Sequence, residues 1–336
     1  MKKSCHSFTK IGSGLLLLLS LSVLSCRKGG LLPRSGGQLY EVLLVGDQGG
    51  IVHDALSADV DGLPQPEPCF DVSDISRHDF GSTLHYTRNI VLVDINPDVY
   101  TRPSIRSERN VWAQPQTVVH IGAPTADALR SCIDSVGRRL RHLLNLSETR
   151  KQLSILRHER NTKAEKVIRQ MFGIDLWIPA DMTASKRGKD FLWMSNNSAT
   201  TMQNIVVYRD WCRNDPSKGQ PMDKHESAFR RFLDARNYML GHNILGETDS
   251  MHMATVPESI LTDSRGDYRG LWMMTNDAMG GPFVSRLLPM RQGRTQDGYT
   301  CQHIVVEGFV FAPGKSKRNA IRRLEAVLCT MKENNK

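Results

Sequence analysis

The first 26 residues constrain this chain most, because they place a positive start, an apolar run and a small residue in a fixed order. Three lysines precede a mostly apolar stretch from Ile11 to Leu24, and Ser25 then stands directly before Cys26. The apolar stretch has about 14 residues, whereas a helix needs roughly 20 to cross the hydrocarbon core of a membrane. This order is typical of an exported precursor whose first residues are removed.

The residues Val23-Leu24-Ser25-Cys26 stand where an ordinary small-residue cleavage site is expected, and they resemble the lipobox of bacterial lipoproteins. The resemblance implies cleavage before Cys26, a diacylglyceryl thioether on its sulfur, and N-acylation of the new terminus. Several acyl chains give a stable anchor, because each buried CH₂ contributes about 0.8 kcal/mol. The alternatives are an ordinary signal peptide with an incidental cysteine and a buried apolar helix. We expect residues 1–25 to be a lipoprotein signal peptide.

Residues 26–38 are expected to carry the lipid and a flexible tether, because glycine, serine and basic residues dominate the segment. Arg27 follows the cysteine, at the position where an aspartate favours retention in the inner membrane of two-membrane bacteria. By that resemblance the mature protein goes to the outer membrane. No acidic cluster follows Cys26, which favours an orientation facing the periplasm.

The remaining chain of about 310 residues is long enough for two domains, each with its own core. Apolar residues make up 40% and charged residues 24%, so the mature chain is globular in composition. Removal of three lysines and no acids lowers the net charge from +9 to +6. A modest excess of this kind, on an exported protein, argues against a nucleic-acid partner.

Residues 39–147 predict a first half that mixes strands and helices. Strands are predicted at Tyr40–Val45, Asn89–Ile95 and Thr117–Ile121, and a helix with an apolar stripe begins after its N-cap Thr125. The turn Gly46–Gly50 stands between a strand and a helix, where phosphate loops occur. It lacks the G-x-G-x-x-G pattern, and glycines are common in such turns for geometric reasons, so the phosphate-loop interpretation is poor.

Residues 148–172 predict a linking helix that Gly173 ends, and residues 173–336 predict a second half. The strand Asn204–Tyr208 echoes Asn89–Val93, and each is followed by a loop and an amphipathic helix. We therefore predict an α+β fold with two related halves, each a mixed or antiparallel sheet with helices packed on one face.

Several segments resemble an uncharacterised family of bacterial cell-envelope lipoproteins known as a domain of unknown function, DUF4837. In the first half these are Leu63–Pro68 with Phe70, and Arg88-Asn89-Ile90 opening a strand. In the second half they are Arg269–Met273 and Met279–Ser285. The resemblance implies an envelope location and brings no known activity, so no catalytic residue is carried over from it.

The mature chain would keep five cysteines besides Cys26, and their pairing is open. Export permits one or two disulfides, the odd number leaves at least one thiol, and a buried inert cysteine is the ordinary interpretation of each. No C-x-x-C, H-E-x-x-H or supported G-x-S-x-G motif occurs, so we predict no catalytic residue, no metal site and no cofactor. The five are Cys69, Cys132, Cys212, Cys301 and Cys329.

Four tryptophans fall in predicted strands of the second half, and core packing is their ordinary role. If some line a groove instead, the second half binds a peptide, glycan or lipid, with Lys186, Arg187 and Lys189 at the rim. The four are Trp177, Trp193, Trp211 and Trp272.

Three classes of function remain. The favoured class is a non-enzymatic, lipid-anchored binding module for an envelope protein or a cell-wall partner. The second is a hydrolase of envelope polymers, which requires a cleft that brings together Asp94, His120 or Glu67. The third is a structural subunit of an outer-membrane assembly.

Overall fold

A computed structural model of the chain describes residues 31–213, 224–248, 250–263, 266–289 and 299–334. The predicted signal peptide and Cys26 lie outside these residues. From Pro33 onward the chain is one compact unit. It contains a five-stranded and a seven-stranded sheet with helices packed on them, so the predicted α+β fold in two parts is confirmed.

The first part contains the five-stranded sheet. Its strands have the order β2-β1-β3-β5-β4, in which β4 is antiparallel to β5 and the other neighbouring pairs are parallel. The central strands are buried on both faces, as their nearly unbroken apolar runs require. The elements are β1 (Glu41–Val45), α1 (Ile51–Leu56), β2 (Asp71–Ile75), β3 (Asn89–Ile95), β4 (Ser104–Arg109), β5 (Thr117–Ala123), α2 (Ala126–Arg130) and α3 (Ile133–His158).

One face of this sheet is covered by the three helices. Leu44, Val91 and Val119 point to that face and share a core with Leu129 of α2 and Leu140 of α3. The opposite face packs against connecting segments, through Phe80, Val111, Trp112 and Leu84 of a short 3-10 helix (Leu84–Tyr86), instead of α-helices. A mixed sheet with helices on one face is thus what the first part contains.

Helix α3 does not have the predicted boundary between residues 147 and 148. It runs unbroken through Glu148, since no glycine or proline stands between Leu140 and Leu156 to interrupt it. Leu140 packs in the core of the first part and Leu156 in the core of the second. The break comes at Asn161, whose side chain accepts a hydrogen bond from the N–H of Ala164 at 3.1 Å and caps the next helix.

The second part contains the seven-stranded antiparallel sheet, in the order β10-β11-β12-β13-β9-β8-β7. Its first helix ends at Gly173 with φ of 70°, as predicted. The elements are α4 (Thr162–Phe172), β6 (Ile174–Asp175), β7 (Ala184–Gly188), β8 (Phe191–Ser195), β9 (Met202–Arg213), α5 (Lys224–Asn243), β10 (Met253–Thr262), β11 (Tyr268–Met274), β12 (Gly280–Pro289), β13 (Tyr299–Phe311), α6 (Arg318–Leu328) and β14 (Lys332–Glu333).

Helices cover both faces of the second sheet, so the prediction of helices on one face is wrong for this part. Ile205 and Val207 of β9 pack in the core with α4 and α6, whereas Val206 and Tyr208 pack in the core with α5. A strand that is apolar at every position has two faces to bury and needs cover on each side.

The two parts also differ in strand direction, so the predicted duplication is not found. The echoing segments form β3, which has parallel neighbours, and β9, which has antiparallel ones. Both are central strands buried on two faces, and that shared environment favours the same apolar residues in each.

The end of the expected tether is fixed to the body. Gly36 donates its N–H to the carbonyl of Tyr86 at 2.8 Å and accepts from the N–H of Arg88 at 2.9 Å, and Ser35 donates to Gln114 at 3.2 Å. The compact unit begins at Pro33, so residues 33–38 of the predicted 26–38 tether belong to the body. In the part of the chain that the structure describes, no helix is long and apolar enough to span a membrane.

A buried ion cluster joins α3 to the amino ends of the first sheet. The Glu148 carboxylate is fully buried and accepts hydrogen bonds from Arg88 Nε at 3.0 Å, Asn89 Nδ2 at 3.0 Å and Lys151 Nζ at 2.9 Å. Burial raises the pKa of Glu148, but the positive charges of Lys151 and Arg88 lower it by a larger amount. The pKa of Glu148 is therefore below its ordinary value.

Glu67 joins the two parts at a second place. Its carboxylate accepts hydrogen bonds from the backbone N–H groups of Lys317 at 2.7 Å and Arg318 at 2.9 Å, at the start of α6. A carboxylate at this position satisfies amides that have no partner inside the helix and favours the positive end of the helix dipole.

Candidate functional site

A crevice of about 580 Å³ lies at the carboxyl ends of β1, β2 and β3. In the sheet, β2 lies on one side of β1 and β3 on the other, so the strand order reverses at β1. Ligands of open parallel sheets bind at the carboxyl ends of the strands where the order reverses. The topology therefore marks this crevice as a candidate site, and its side chains decide what it can bind.

Asp47 follows β1 and fixes the turn into α1. Its Oδ2 accepts hydrogen bonds from the N–H groups of Val52 and His53, both at 2.9 Å. The amides that would bind a phosphate in a phosphate loop are thus occupied by the Asp47 carboxylate. The segment Gly46–Gly50 therefore serves as a turn and not as a phosphate-binding loop. Oδ1 of Asp47 is buried with no hydrogen-bond partner among the described residues. Burial raises the pKa of this carboxyl, against the lowering effect of the two amides.

Asp74, in β2, pairs with a histidine of α1. Nδ1 of His53 lies 2.5 Å from Oδ2 of Asp74, and the two side chains are 37% and 45% exposed. Because a carboxylate accepts the hydrogen bond, Nδ1 is the donor, and in a neutral ring Nε2 is then the acceptor. A histidine oriented in this way can take a proton from a bound group.

Asp94, in β3, forms the third acidic wall of the crevice. Its Oδ1 lies 3.0 Å from the Arg77 guanidinium, which also donates to the carbonyl of Val93 at 2.5 Å. The pKa of Tyr100 is raised, mainly by burial and secondly by its hydrogen bond to Asp94. The Tyr100 ring lies directly over Gly122, where an added Cβ would stand 2.1 Å from a ring carbon. A glycine at this position is therefore needed for Tyr100 to reach Asp94.

The residues required for the predicted hydrolase are only partly brought together. Asp94 and His120 lie on the same face of neighbouring strands, but Nε2 of His120 pairs with Oε1 of Glu108 at 3.2 Å. Burial and the nearby Arg106 lower the pKa of His120. Glu67 caps α6 and is not in the crevice. The three predicted residues therefore do not form one catalytic cleft.

The charge of the crevice favours a cationic ligand group. Three acidic residues, Asp47, Asp74 and Asp94, line the crevice together with one basic residue, Arg77, so acidic groups outnumber basic ones in its described lining. The Arg77 side chain is half-exposed at the rim of the crevice, where its guanidinium can also donate hydrogen bonds to a carboxylate of a ligand. Among the described residues, no three His, Cys, Asp or Glu side chains are grouped closely enough to hold a metal ion.

The predicted tryptophan groove is not formed by the tryptophans together. Trp272 is 3% exposed and donates Nε1–H to the carbonyl of Val310 at 3.2 Å, and Trp193 donates to Oδ1 of Asn204 at 3.0 Å. Trp272 lies in the core on the α5 side of the sheet, and Trp193 packs against that core. Trp211 lies outside the residues whose side chains the structure describes.

Trp177 lies apart from the other tryptophans, at the edge of the core on the opposite side of the sheet. It lines a groove of about 480 Å³ with Arg150, Arg157 and Lys332. The guanidinium of Arg160 lies 4.9 Å from its ring centroid. Of the three predicted tryptophans whose side chains are described, Trp177 is the one that lines this basic groove.

The predicted basic rim lies elsewhere, on the edge strand β7 and its turn. Lys186 stands opposite Trp193 in the register of β7 and β8 and donates its Nζ to the carbonyl of Asn243 at 2.9 Å. Arg187 is exposed in β7 and Lys189 follows the strand. This edge is not part of the groove at Trp177.

Three of the predicted cysteines are free thiols in the structure: Cys69, Cys132 and Cys329. Cys69 is buried, and burial raises the pKa of its thiol, as expected for an unreactive cysteine. Cys212 and Cys301 lie outside the residues whose side chains are described, so their pairing stays a prediction.

Comparison with known protein families tests the family resemblance that the motifs Arg269–Met273 and Met279–Ser285 suggested. The model of Domain of unknown function (DUF4837) matches residues 161–330. The chain belongs to the DUF4837 family. A separate model, Domain of unknown function (DUF8532), matches residues 35–157. A search of curated proteins found no match.

The two family segments coincide with the structural parts. The DUF4837 segment begins at Asn161, the residue that caps α4, and the DUF8532 segment stops near the end of α3. The motifs around Leu63 and Arg88 therefore fall in the second family's segment, while those around Arg269 and Gly280 fall in DUF4837. The acidic crevice belongs to the DUF8532 segment of this DUF4837 protein, and Trp177 belongs to the DUF4837 segment.

Of the three crevice aspartates, the sequence analysis named Asp94, for a hydrolase cleft, and missed Asp47 and Asp74, although a signal for them exists. Asp47 stands two residues after β1, Asp74 is the fourth residue of β2, and Asp94 is the sixth of β3. Acidic residues at the ends of apolar strands indicate one shared edge only once the strands are known to be parallel. Their sequence alone leaves that direction undetermined.

Proposed function

We propose that this protein is a lipid-anchored protein of the cell envelope that binds an envelope protein or a cell-wall partner without catalysis. The order of lysines, apolar run, Ser25 and Cys26 supports the anchor, and Arg27 supports an outer-membrane location facing the periplasm. The compact body from Pro33 onward is then held near the membrane by a short segment.

The observation that carries the binding proposal is the acidic crevice at the reversal of strand order. Three parallel strands each bring one aspartate, Asp47, Asp74 and Asp94, to the same opening, and Arg77 stands at its rim. An ammonium group fits between the carboxylates, and a carboxylate of the same ligand fits against Arg77. Peptides, including the peptides of a cell wall, carry both groups.

A photo-crosslinking residue at Gln48, which is exposed and lines the crevice, tests this binding in intact cells. We expect a defined adduct, identified by mass spectrometry, that Asp74→Asn abolishes. The same crosslinker at Arg109, exposed at the far end of β4, is the matched control and is expected to give no such adduct. An adduct that forms equally at both positions, or none at Gln48, contradicts the crevice as the binding site.

The same experiment separates binding from a structural role. A stoichiometric protein partner that is captured from both positions, and that Asp74→Asn does not release, indicates a subunit of a larger outer-membrane assembly.

A second candidate, a hydrolase of envelope polymers, is favoured by the pairing of His53 with Asp74 beside Asp47. In that reaction Nε2 of His53 accepts a proton from the attacking water and then returns it to the leaving group. Purified protein incubated with isolated cell wall tests it. Release of soluble fragments that His53→Gln abolishes supports hydrolysis, whereas binding without release supports the module.

A further inference from the structure

The solvent-facing side of α3 carries positive charge without matching negative charge. Between residues 138 and 158 its one acidic residue, Glu148, is fully buried within the ion cluster. Arg139, Arg150 and Arg157 are exposed, and none of them pairs with a carboxylate in the described part of the chain. The charge on this side is therefore available to a partner.

These three arginines lie along one line of the helix. Arg150 and Arg157 stand 11 and 18 residues after Arg139, close to three and five turns of 3.6 residues, so the line spans about 27 Å. Leu146 falls on the same line and is 39% exposed. We call Arg139, Leu146, Arg150 and Arg157 the basic face.

The middle of the basic face lies beside the segment through which the chain enters the body. Arg88 accepts a hydrogen bond from Lys151 of α3 through its carbonyl, pairs with Glu148 through its side chain, and donates its N–H to Gly36. One residue thus connects the entering segment to the middle of α3. Arg88 stands just before β3, whose seven residues span about 23 Å, and the acidic crevice lies at the other, carboxyl end of that strand. The basic face runs along the side of the body, from Arg139 near α1 to Arg157.

We propose that the basic face docks on an anionic lipid bilayer. The proposal rests on the proposed anchor at Cys26, because six residues, 27–32, then connect the lipid to the body and reach at most about 20 Å. Each arginine close to an anionic surface strengthens binding roughly fivefold. The exposed Leu146 and the nearby Trp177 suit the headgroup level, where aliphatic and aromatic side chains meet lipid.

Docked through this face, the body lies with α3 along the membrane, and the acidic crevice stays open to its ligand. An acidic cell-wall glycan is the competing occupant of the basic face, because Trp177 and the arginines around it also suit a polyanion. The membrane is favoured because the face is straight, partly aliphatic and next to the entry of the chain.

The test uses the chain from Arg27 onward without acyl groups, so that its outcome does not depend on the anchor. Flotation with vesicles of phosphatidylethanolamine and phosphatidylglycerol is compared with flotation on neutral phosphatidylcholine vesicles. We expect binding to the anionic vesicles alone, weakened by salt. The triple variant Arg139→Gln, Arg150→Gln, Arg157→Gln is expected to bind roughly 100-fold more weakly.

The matched control is a triple variant at Arg102, Arg109 and Arg187, each changed to glutamine. These arginines are also exposed and lack ion pairs among the described residues, so the net charge changes equally. Circular dichroism of both variants confirms that they are folded. The proposal is overturned if the wild type does not bind anionic vesicles, or if the two triple variants lose binding equally. Binding to isolated cell wall through the same arginines, with none to vesicles, assigns the face to the glycan instead.

Discussion

Replacement of Glu148 by glutamine is expected to destabilise the protein strongly while leaving its shape unchanged. The carboxylate is fully buried and compensates two buried cations, Arg88 and Lys151. A glutamine keeps the size and part of the hydrogen bonding, but it leaves both cations without a counter-charge. Breaking a buried ion pair by removing one partner costs about 3–5 kcal/mol.

The assay is urea unfolding followed by circular dichroism, compared at neutral pH. Glu258→Gln, at an exposed position in β10, is the matched control, and a substitution of that kind changes stability by less than about 0.5 kcal/mol. The expected result is a lower midpoint for Glu148→Gln with an unchanged slope. A loss below about 1 kcal/mol would show that the cluster behaves like a surface ion pair, which would refute its role in joining α3 to the sheet.

Three further predictions follow from buried contacts. Burial lowers the pKa of Lys151 from 10.5 to about 8. Between pH 8 and 10.5 the unfolded chain therefore binds a proton on Lys151 that the folded chain does not, and the free energy of unfolding should rise by about 3 kcal/mol across this range. Lys151→Met should remove that rise in urea titrations at pH 8 and pH 10. Gly122→Ala should displace Tyr100 and cost about 1–3 kcal/mol, with the displacement visible in tyrosine fluorescence. Glu67→Gln should lose the charged cap of α6 and cost about 1 kcal/mol, measured by thermal unfolding.

The local elements of this fold could be predicted because their signals lie within a few residues. The apolar runs at Tyr40–Val45 and Asn89–Ile95 became β1 and β3, and Thr125 accepts the predicted capping hydrogen bond from Ala128 at 3.1 Å. Gly173 ended its helix for the same local reason, since a left-handed residue is cheapest at glycine.

Strand direction and helix placement could not be predicted, because they depend on contacts between distant residues. Asn89–Val93 and Asn204–Tyr208 have nearly the same apolar pattern, yet one strand has parallel neighbours and the other antiparallel ones. Burial on two faces explains the pattern in both cases and carries no information on direction. The duplicated halves were inferred from a similarity that only reflects a shared environment.

The candidate site depends on the same long-range information. Asp94 was named from the sequence as a residue of a hydrolase cleft, but its partners in the crevice, Asp47 and Asp74, come from strands 20 or more residues away. His53 was not named at all, and its pairing with Asp74 requires α1 to pack beside β2. The basic groove at Trp177 depends on long-range information too, because Arg150 and Arg157 stand 20 or more residues before Trp177 in the chain.

The central claim is that a lipid on Cys26 holds this body in the envelope. Growth with labelled palmitate, followed by membrane fractionation of cells that produce the wild type or Cys26→Ala, tests it most directly. The account predicts labelled protein in the outer-membrane fraction for the wild type, and unlabelled protein of precursor size for Cys26→Ala. Unchanged labelling and fractionation of Cys26→Ala would contradict the anchor, and with it the orientation proposed for the basic face and the acidic crevice.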